Sequence, residues 1–418
     1  MSDDPRRLSA LIVNYNSGAF AVRCVESLLD EWRREGRDPR GIEVVLIDNA
    51  SPQDQEPFLR RIEELATDET SVEVIRCPDN LGYAAGMNRC LERTSGGPDD
   101  VVAALNPDLF FLPGNIRTLM DYLAEHPECG VVAPRATIDP EFRLSLPKNP
   151  LPTPVEELRV LGAQISPALC RAYSRRRFDY SLPWWTSDQP LATDMLSGCC
   201  LFLRRSVVDD LGGVMDERYP LYYEDTDLFR SLDERGLTVV QHTGTTIVHH
   251  WSRSSGFGES FLGEPMRRYQ LSRAAYFRKF YGPIGLGVIR LVDWLAAKWP
   301  AKFSHRAMHP MESLGEVADP PELPMGRSTR FLLEVALRPN WQLAVGIAAE
   351  GDRWVCPADA WTWFFDVDYF VRAVERDTGE VLGAWHFRKT TPGRTEPLSD
   401  AEIAALRAAH DDELEAVS

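Results

Sequence analysis

The chain reads as an α/β protein: a mostly parallel sheet flanked by helices, then a helical arm, then a small C-terminal antiparallel β domain. Three observations predict this. Short, wholly apolar runs alternate with stretches of helical periodicity from Leu8 to Pro134, the signature of parallel strands joined by right-handed crossovers. Several of these runs stop at an Asn or Asp, which puts polar side chains at the carboxyl edge of one sheet. From Phe331 the period changes to two, with β-branched and aromatic residues enriched.

Leu8 to Tyr15 is expected as the first buried strand. Asn16-Ser17-Gly18 then turns into a helix with apolar positions Phe20, Val22, Cys24, Val25, Leu28, Leu29 and Trp32. Ile42 to Ile47 is the second strand and ends in Asp48-Asn49-Ala50-Ser51-Pro52. A helix around Phe58 to Leu65 and a strand from Val72 to Arg76 follow. Asn80-Leu81-Gly82-Tyr83-Ala84-Ala85-Gly86-Met87-Asn88 supplies small residues where a helix starts close to the sheet and a ligand can approach the backbone. Val101 to Leu105 is another buried strand. Pro107 cannot donate to a ladder and biases Asn106 toward extended backbone, so the strand stops and Asp108 is presented at its edge. Gly114 to Ala124 reads as a helix and Gly130 to Pro134 as a strand.

Ile138 to Pro190 has no clean period and reads as long loops with a helix near Val155 to Leu161. Met195 to Arg205 reads as a glycine-led strand, and Tyr222 to Glu234 as a loop opening a helix that Gly236 ends. Thr238 to Gln241 and Thr245 to His250 read as two short strands. The arm from Met266 to Trp299 breaks at Gly282-Pro283, and His305 to Pro324 looks like a linker. A capping box, Ser399-Asp-Ala-Glu402, opens an acidic tail helix. The expected domains are therefore 1–265, with the arm at 266–305, a linker at 306–325, the β domain at 326–395 and the tail at 396–418.

A length of 418 residues calls for more than one core, and 44% hydrophobic with 26% charged residues fits globular domains. The net charge of −17 argues against a broad nucleic-acid footprint. The start, Met1-Ser-Asp-Asp-Pro-Arg-Arg, has no apolar run behind a basic head and reads as no secretory signal, and eight cysteines without C-x-x-C spacing fit reduced thiols in a cytoplasmic protein. The segment from Pro283 to Trp299 is interrupted by Arg290, Asp293 and Lys298, which makes it costly to place across a bilayer.

Asn14-Tyr15-Asn16, Asp48-Asn49, Asn106-Pro107-Asp108 and Glu224-Asp225 converge at the strand ends. Singly, Asn16, Ser51 and Asp225 could be helix caps and Asp108 a turn residue. Together they form an acid-lined site with a candidate metal ligand, small-residue loops and a separate carboxylate, which suits diphosphate chemistry. A dinucleotide site is a poor fit, because no G-x-G-x-x-G follows the first strand.

These pieces resemble the family 2 glycosyltransferases of the GT-A fold, in their bacterial rhamnosyltransferase-like branch. Val13-Asn-Tyr-Asn-Ser17, Ile47-Asp-Asn-Ala-Ser51, the Asn80 to Asn88 segment and Leu105-Asn-Pro-Asp108 carry the resemblance. Ser197-Gly-Cys-Cys-Leu-Phe-Leu-Arg204, Tyr223-Glu-Asp-Thr-Asp-Leu228 and Val248-His-His250 complete it, as does the arm from Arg273 to Gly282. The C-terminal β domain is outside it.

The resemblance implies an inverting transferase that moves a sugar from a nucleotide-diphosphate donor, dTDP- or UDP-linked, to a hydroxyl of a glycan or lipid-linked acceptor. The branch points to L-rhamnose from dTDP-rhamnose. Asp48 would accept from the nucleobase with Asn14 and Asn16 nearby, while Asn80, Gly82, Gly86 and Asn106 would line the donor pocket. Asp108 would hold Mg²⁺ or Mn²⁺, with His249 as a further metal contact; Asn106 stands where many relatives have a second carboxylate. Asp225 would be the general base, with Glu224 the alternative. Asp227 is expected to orient its helix, and Gly198 to give close packing. Arg253, Ser254 and Ser255 follow in a loop where Arg could pair with phosphate. Trp184-Trp185 could stack on a sugar or pack a loop. Arg267, Arg268, Arg273, Arg278 and Lys279 on the arm could meet the inner face of a membrane or simply be solvated over a covering helix. The competing class is a non-catalytic carbohydrate-binding or scaffold protein that keeps the fold.

Overall fold

The computed structural model describes residues 6–140, 144–250, 263–298, 310–339, 341 and 343–417. In chain order the first elements are β1 (Leu8–Asn14), α1 (Gly18–Arg34), β2 (Ile42–Asp48), α2 (Glu56–Glu63), β3 (Ser71–Arg76), α3 (Tyr83–Leu91), β4 (Val101–Leu105) and β5 (Leu109–Phe110). They are followed by α4 (Asn115–Glu125), β6 (Cys129–Thr137), α5 (Pro154–Ile165), α6 (Pro167–Thr186), β7 (Leu191–Thr193), β8 (Cys200–Arg204), α7 (Arg205–Leu211), α8 (Glu224–Asp233) and β9 (Thr238–His249). The last are α9 (Glu264–Lys298), β10 (Glu312–Val317), β11 (Glu322–Ala336), β12 (Ala344–Val355), α10 (Ala358–Trp363), β13 (Asp368–Glu375), β14 (Val381–Lys389) and α11 (Asp400–Val417). Two compact units result: Met1–Ala136 with Gln189–Tyr276 and Glu396–Ser418, and Thr137–Asp188 with Phe277–Thr395.

The first unit is built on a sheet of order β3-β2-β1-β4-β8-β6-β9-β5, with β7 on β9. β3, β2, β1 and β4 run parallel, and the ladder then turns antiparallel at β8. Every residue of β1, β2 and β4 is buried, as expected of strands covered on both faces. α1 turns Phe20, Cys24, Val25, Leu28, Leu29 and Trp32 inward, at the positions its periodicity gives. It also buries Glu31, whose Oε1 accepts from Gly114 N at 2.5 Å at the start of α4 and whose pKa burial pushes up to about 7. The strand from Thr238 is continuous to His249 rather than two short ones, because Thr243 and Gly244 stay extended in β9. β8 begins only at Cys200; Asn106 N–H still donates to Cys199 O, and Pro107, which has no N–H, then ends the partner strand. All eight cysteines lie among the described residues as thiols, and all but Cys77 are buried.

The second unit holds a five-stranded sheet of order β10-β14-β13-β11-β12, antiparallel except for the β10–β14 pair. Residues 310–324, expected as a linker, contain β10 and the start of β11. Alternating Glu and apolar positions let this stretch serve as an edge strand despite its Gly and Pro. One sheet face joins Phe331, Leu333, Trp354, Trp361, Tyr369, Trp385 and Phe387 in a core closed by α10. The other face is covered by α6, a helix that the sequence had suggested was loop. Trp185 lies on Gly346 of β12, where a Cβ would come within 2.2 Å of the indole. Trp184 and Trp185 are both buried and both donate Nε1–H to Leu146 O, so the pair packs rather than forming an open sugar platform.

α9 carries the expected break, with Gly282 at φ 60° before Pro283. Among the described residues it is the helix long and apolar enough to cross a membrane by length and composition alone.

Candidate active site

The carboxyl ends of β1, β2 and β4 gather the first group of polar residues. Asp48 Oδ1 accepts from Asn14 Nδ2 at 2.8 Å and from Ser51 Oγ at 2.6 Å. Asn14 Oδ1 in turn accepts from Ser17 N at 3.1 Å, so the first two loops are tied to one carboxylate. Asn16 does not cap α1. It lies in the left-handed region at φ 56°, donates its N–H to Ser51 Oγ at 2.8 Å and accepts from Gln53 N at 3.2 Å. Ala50, after β2, is left-handed too, at φ 56°. Non-glycine residues rarely hold that backbone, and they collect at functional loops.

The small-residue segment is held by Asn49. Its Oδ1 accepts from Leu81 N at 2.8 Å, and its Nδ2 donates to Asn80 Oδ1 at 3.2 Å and Gly82 O at 3.1 Å. Asn80 itself is exposed and accepts from Gly82 N at 2.9 Å. Gly82 opens α3 at φ 86°, a backbone that favours glycine. Gly86 has a different role from the one expected. A Cβ there would stand 3.0 Å from Val13 Cγ2, so it seats α3 on the sheet instead of lining a pocket.

Asp108 and His249 face one another across the β5–β9 pair, where Leu109 is in register with His249. His249 Nε2 is 3.2 Å from Asp108 Oδ1 and 3.3 Å from Asn106 Nδ2. Burial alone would raise the Asp108 pKa, but the charge and hydrogen bond of His249, with the charge of His250, together outweigh it and hold the carboxyl below its ordinary value. Burial likewise opposes the charge on His249, yet Asp108 beside it pushes the imidazole well above its usual range. His250 takes another part: its N–H donates to Asp108 O at 3.0 Å and its ring tilts against Phe20.

An oxygen and a nitrogen 3.2 Å apart are about as far from each other as adjacent ligands of one divalent ion bound at ~2.1 Å, so Asp108 and His249 fit such an ion. No group of three or more acidic, imidazole or thiol side chains is arranged for a metal among the described residues. The remaining ligands would therefore have to be phosphate oxygens and water. Asn106 is turned away from that role, because its Oδ1 accepts from Tyr83 OH at 2.9 Å. It presents its amide N–H groups on the Asp108 side, as a donor suited to a phosphate oxygen.

Tyr83 was not read from the sequence, which drew attention to the glycines around it. Its hydroxyl pKa is raised well above normal by burial, and then by the negative charge of Glu224, Asp225 and Asp108. One phenol is thus bonded to Asn106 and also feels the charge of the acidic pair on α8.

That pair is unequal. Glu224 is buried, and its Oε2 has no hydrogen-bond partner. Burial and the neighbouring Asp225 push its pKa up, which leaves it protonated where an ordinary glutamate is ionised. Asp225 is partly exposed, and its Oδ1 accepts from Thr226 N at 2.6 Å and Thr226 Oγ at 3.2 Å. These bonds counter the burial that raises it. Gly198 lies against its other oxygen: a Cβ at Gly198 would be 2.8 Å from Asp225 Oδ2. Asp227 instead accepts from Tyr219 OH at 2.5 Å and Ser231 Oγ at 3.2 Å, which fixes the start of α8. Arg253, Ser254 and Ser255 lie outside the described residues.

The glycosyl transferase family 2 model matches residues 9–212. The N-acetylglucosaminyl-diphospho-decaprenol L-rhamnosyltransferase of Mycobacterium tuberculosis is 29% identical over 263 residues, covering 60% of this chain and 78% of that protein. An O-antigen biosynthesis protein of Myxococcus xanthus is 38% identical over 90 residues, 22% of this chain and 7% of its own length. Among solved structures, a mannosyltransferase from Pyrobaculum calidifontis aligns at a TM-score of 0.39 and 16% identity, over 71% of this chain and 77% of that one. Residues 9–212 thus match glycosyl transferase family 2, and the chain that carries them is a rhamnosyltransferase-like glycosyltransferase.

Proposed function

We propose that the enzyme transfers L-rhamnose from dTDP-rhamnose, with inversion, to a hydroxyl of a lipid-linked or glycan acceptor. The sugar and the acceptor class rest on the mycobacterial relative, whose name gives both. The reading is carried by the run of contacts from Tyr83 OH through Asn106 to His249 and Asp108, close enough to Glu224 and Asp225 for their charge to raise the phenol. In this reading Asp48, with Asn14 and Asn16 behind it, takes the nucleobase, and the Asn80–Gly82 backbone approaches the donor. Asn106 donates to a phosphate oxygen. A divalent ion at Asp108 and His249, when bound, neutralises charge that develops on the leaving diphosphate.

Asp225 is the base. The acceptor oxygen attacks the anomeric carbon from the face opposite the diphosphate, its proton passes to Asp225, and the carbon–oxygen bond to the diphosphate breaks with its electron pair. Glu224 is a poor base near neutrality because it holds its own proton. We place the reaction on the cytoplasmic side, where nucleotide sugars are made, with the α9 arm toward the membrane that carries the acceptor.

The test is thermal stability against nucleoside diphosphates and nucleotide sugars, with and without Mg²⁺ or Mn²⁺, since a ligand of the native state raises the melting temperature. A metal-dependent shift with dTDP-rhamnose, together with loss of transfer but not of donor binding in Asp225→Asn, is the expected result. No shift with any nucleotide sugar would overturn the reading.

A further inference from the structure

The part of α9 that follows the break at Gly282, residues 283–298, has two unlike faces. Leu286, Ile289 and Val292 are buried, so one face is already seated on the protein, and Tyr281 just before the break donates its hydroxyl to Pro152 O at 3.2 Å. Ile284, Leu291 and Trp294 are instead 82%, 50% and 53% exposed. At about 3.6 residues per turn these three positions fall within an arc of about 80°, which makes them one stripe along the helix. The most apolar 18-residue stretch of α9 is only 22% buried, whereas a core helix of that composition is covered. A contiguous apolar stripe left to solvent marks an interaction surface.

Charge says what covers it. Residues 277–298 hold four basic side chains, Arg278, Lys279, Arg290 and Lys298, all exposed, against the single acid Asp293, in a chain whose net charge is −17. Lys298 Nζ lies 4.1 Å from the centre of the Trp294 ring, at the edge of the stripe. A cation on a long stem beside an indole suits the boundary of a bilayer, where the ring sits at headgroup level and the ammonium reaches phosphate. A second copy on a two-fold axis would set the stripe and its cations against their own kind. A surface of anionic phospholipid complements both, acyl chains for the stripe and phosphates for the cations. The helix lies on such a surface and does not cross it: residues 283–298 give about 24 Å of helix against a hydrocarbon core ~30 Å thick, and the buried face is not free to meet lipid.

We propose that residues 283–298 are an interfacial helix by which the enzyme docks on anionic phospholipid, with Ile284, Leu291 and Trp294 at the headgroup–acyl boundary and Arg290 and Lys298 on phosphates. This deepens the placement of the reaction at a membrane, and rests on it, by naming the face that makes the contact. The docking itself requires no sugar transfer.

The test is co-sedimentation with vesicles of phosphatidylcholine alone and of phosphatidylcholine with phosphatidylglycerol, at low and high salt. The wild type should partition onto the anionic vesicles, and less so as salt rises. Ile284→Ser, Leu291→Ser and Trp294→Ser combined should lower that partition about a hundredfold, and Arg290→Gln with Lys298→Gln about thirtyfold. Both variants should keep the wild-type melting temperature, since all five side chains are exposed. Both should also keep the KM and kcat of transfer to butyl diphospho-N-acetylglucosamine, a soluble acceptor, so docking and chemistry are read separately. Wild-type partition in the serine variant overturns the proposal, as does equal binding of the wild type to uncharged vesicles, or binding to neither. A wild-type dimer that the serine changes dissociate, with no vesicle binding, gives the stripe to a second copy and overturns it too. Stripe-dependent vesicle binding without transfer to any acceptor would sink the transferase reading and leave the docking helix standing.

Discussion

His249 Nε2 stands 3.2 Å from Asp108 Oδ1, and both side chains are almost wholly buried. The imidazole is therefore the main cation for this carboxylate, with His250 adding a weaker charge. Removing it alone leaves a buried charge, which costs about 3–5 kcal/mol. His249→Ala should be destabilised to that degree in urea, and His249→Ala with Asp108→Asn much less, so the double-mutant cycle should show strong coupling. The pH dependence follows from the two shifts. Asp108, lowered, contributes stability above the ordinary aspartate range that is lost on acidification. His249, raised, contributes stability below the ordinary histidine range that is lost as pH climbs through its elevated pKa. Asp108→Asn should flatten both limbs of the stability curve; a curve unchanged from wild type would dismiss the pairing.

Gly198 matters because of what a methyl group would displace. A Cβ there lies 2.8 Å from Asp225 Oδ2, and Asp225 is a short side chain with Oδ1 already fixed by Thr226. Gly198→Ala must therefore shift the carboxylate by a large fraction of an ångström. Misplacement on that scale costs about 10²-fold in rate. We expect kcat to fall by about that factor while the dTDP-induced rise in melting temperature is retained. Full activity in Gly198→Ala would show that Asp225 is not held from this side.

Much of this was legible in the sequence, for physical reasons that differ by element. β1, β2 and β4 announce themselves because a strand covered on both faces must be apolar throughout, and their polar stops mark the site. Asp108 and Asp225 could be named because proline and the helix start leave few places for an acid to point. α6 was hidden, since it buries residues on several sides, among them Tyr173, Arg177, Phe178 and Trp184, and shows no single apolar stripe. Tyr83 and Asn49 were hidden because their roles are long-range hydrogen bonds, to Asn106 and to the Asn80–Gly82 turn. Gly86 was misassigned because a glycine that admits a ligand and one that admits a strand side chain look alike in sequence.

Glu224 gives a prediction of opposite sign to Asp108. Its pKa is raised in the folded protein by burial and by Asp225, so the native state binds a proton that the unfolded chain releases. The stability from this group is complete below the ordinary glutamate pKa and is lost as pH rises toward the elevated one. Glu224→Gln cannot ionise and escapes that loss. Its melting temperature should match wild type near pH 4 and exceed it increasingly toward pH 8. A constant offset across that range would mean that Glu224 is ionised throughout.

In the C-terminal unit, Arg372 and Glu334 form a buried pair between β13 and β11. Arg372 Nε donates to Glu334 Oε2 at 2.8 Å, Nη1 donates to Ser174 Oγ at 2.6 Å, and the guanidinium lies 4.8 Å from the Trp341 ring centre. Burial pushes the Glu334 pKa up against the opposing charge of Arg372, so the pair is held by geometry rather than by favourable solvation. Arg372→Lys keeps the charge but loses the planar fork and the stacking, and should be destabilised by about 1–3 kcal/mol. Arg372→Met, which abandons Glu334 in an apolar layer, should cost about 3–5 kcal/mol, while Glu334→Leu with Arg372→Met should come back close to wild type. Asp48 and Asp108 belong to the other unit, so donor binding should be unmoved by any of these changes. Denaturant titration followed by tryptophan fluorescence reads the order directly. A double variant no more stable than Arg372→Met would mean that the pair, rather than the apolar layer around it, holds the sheet against α6.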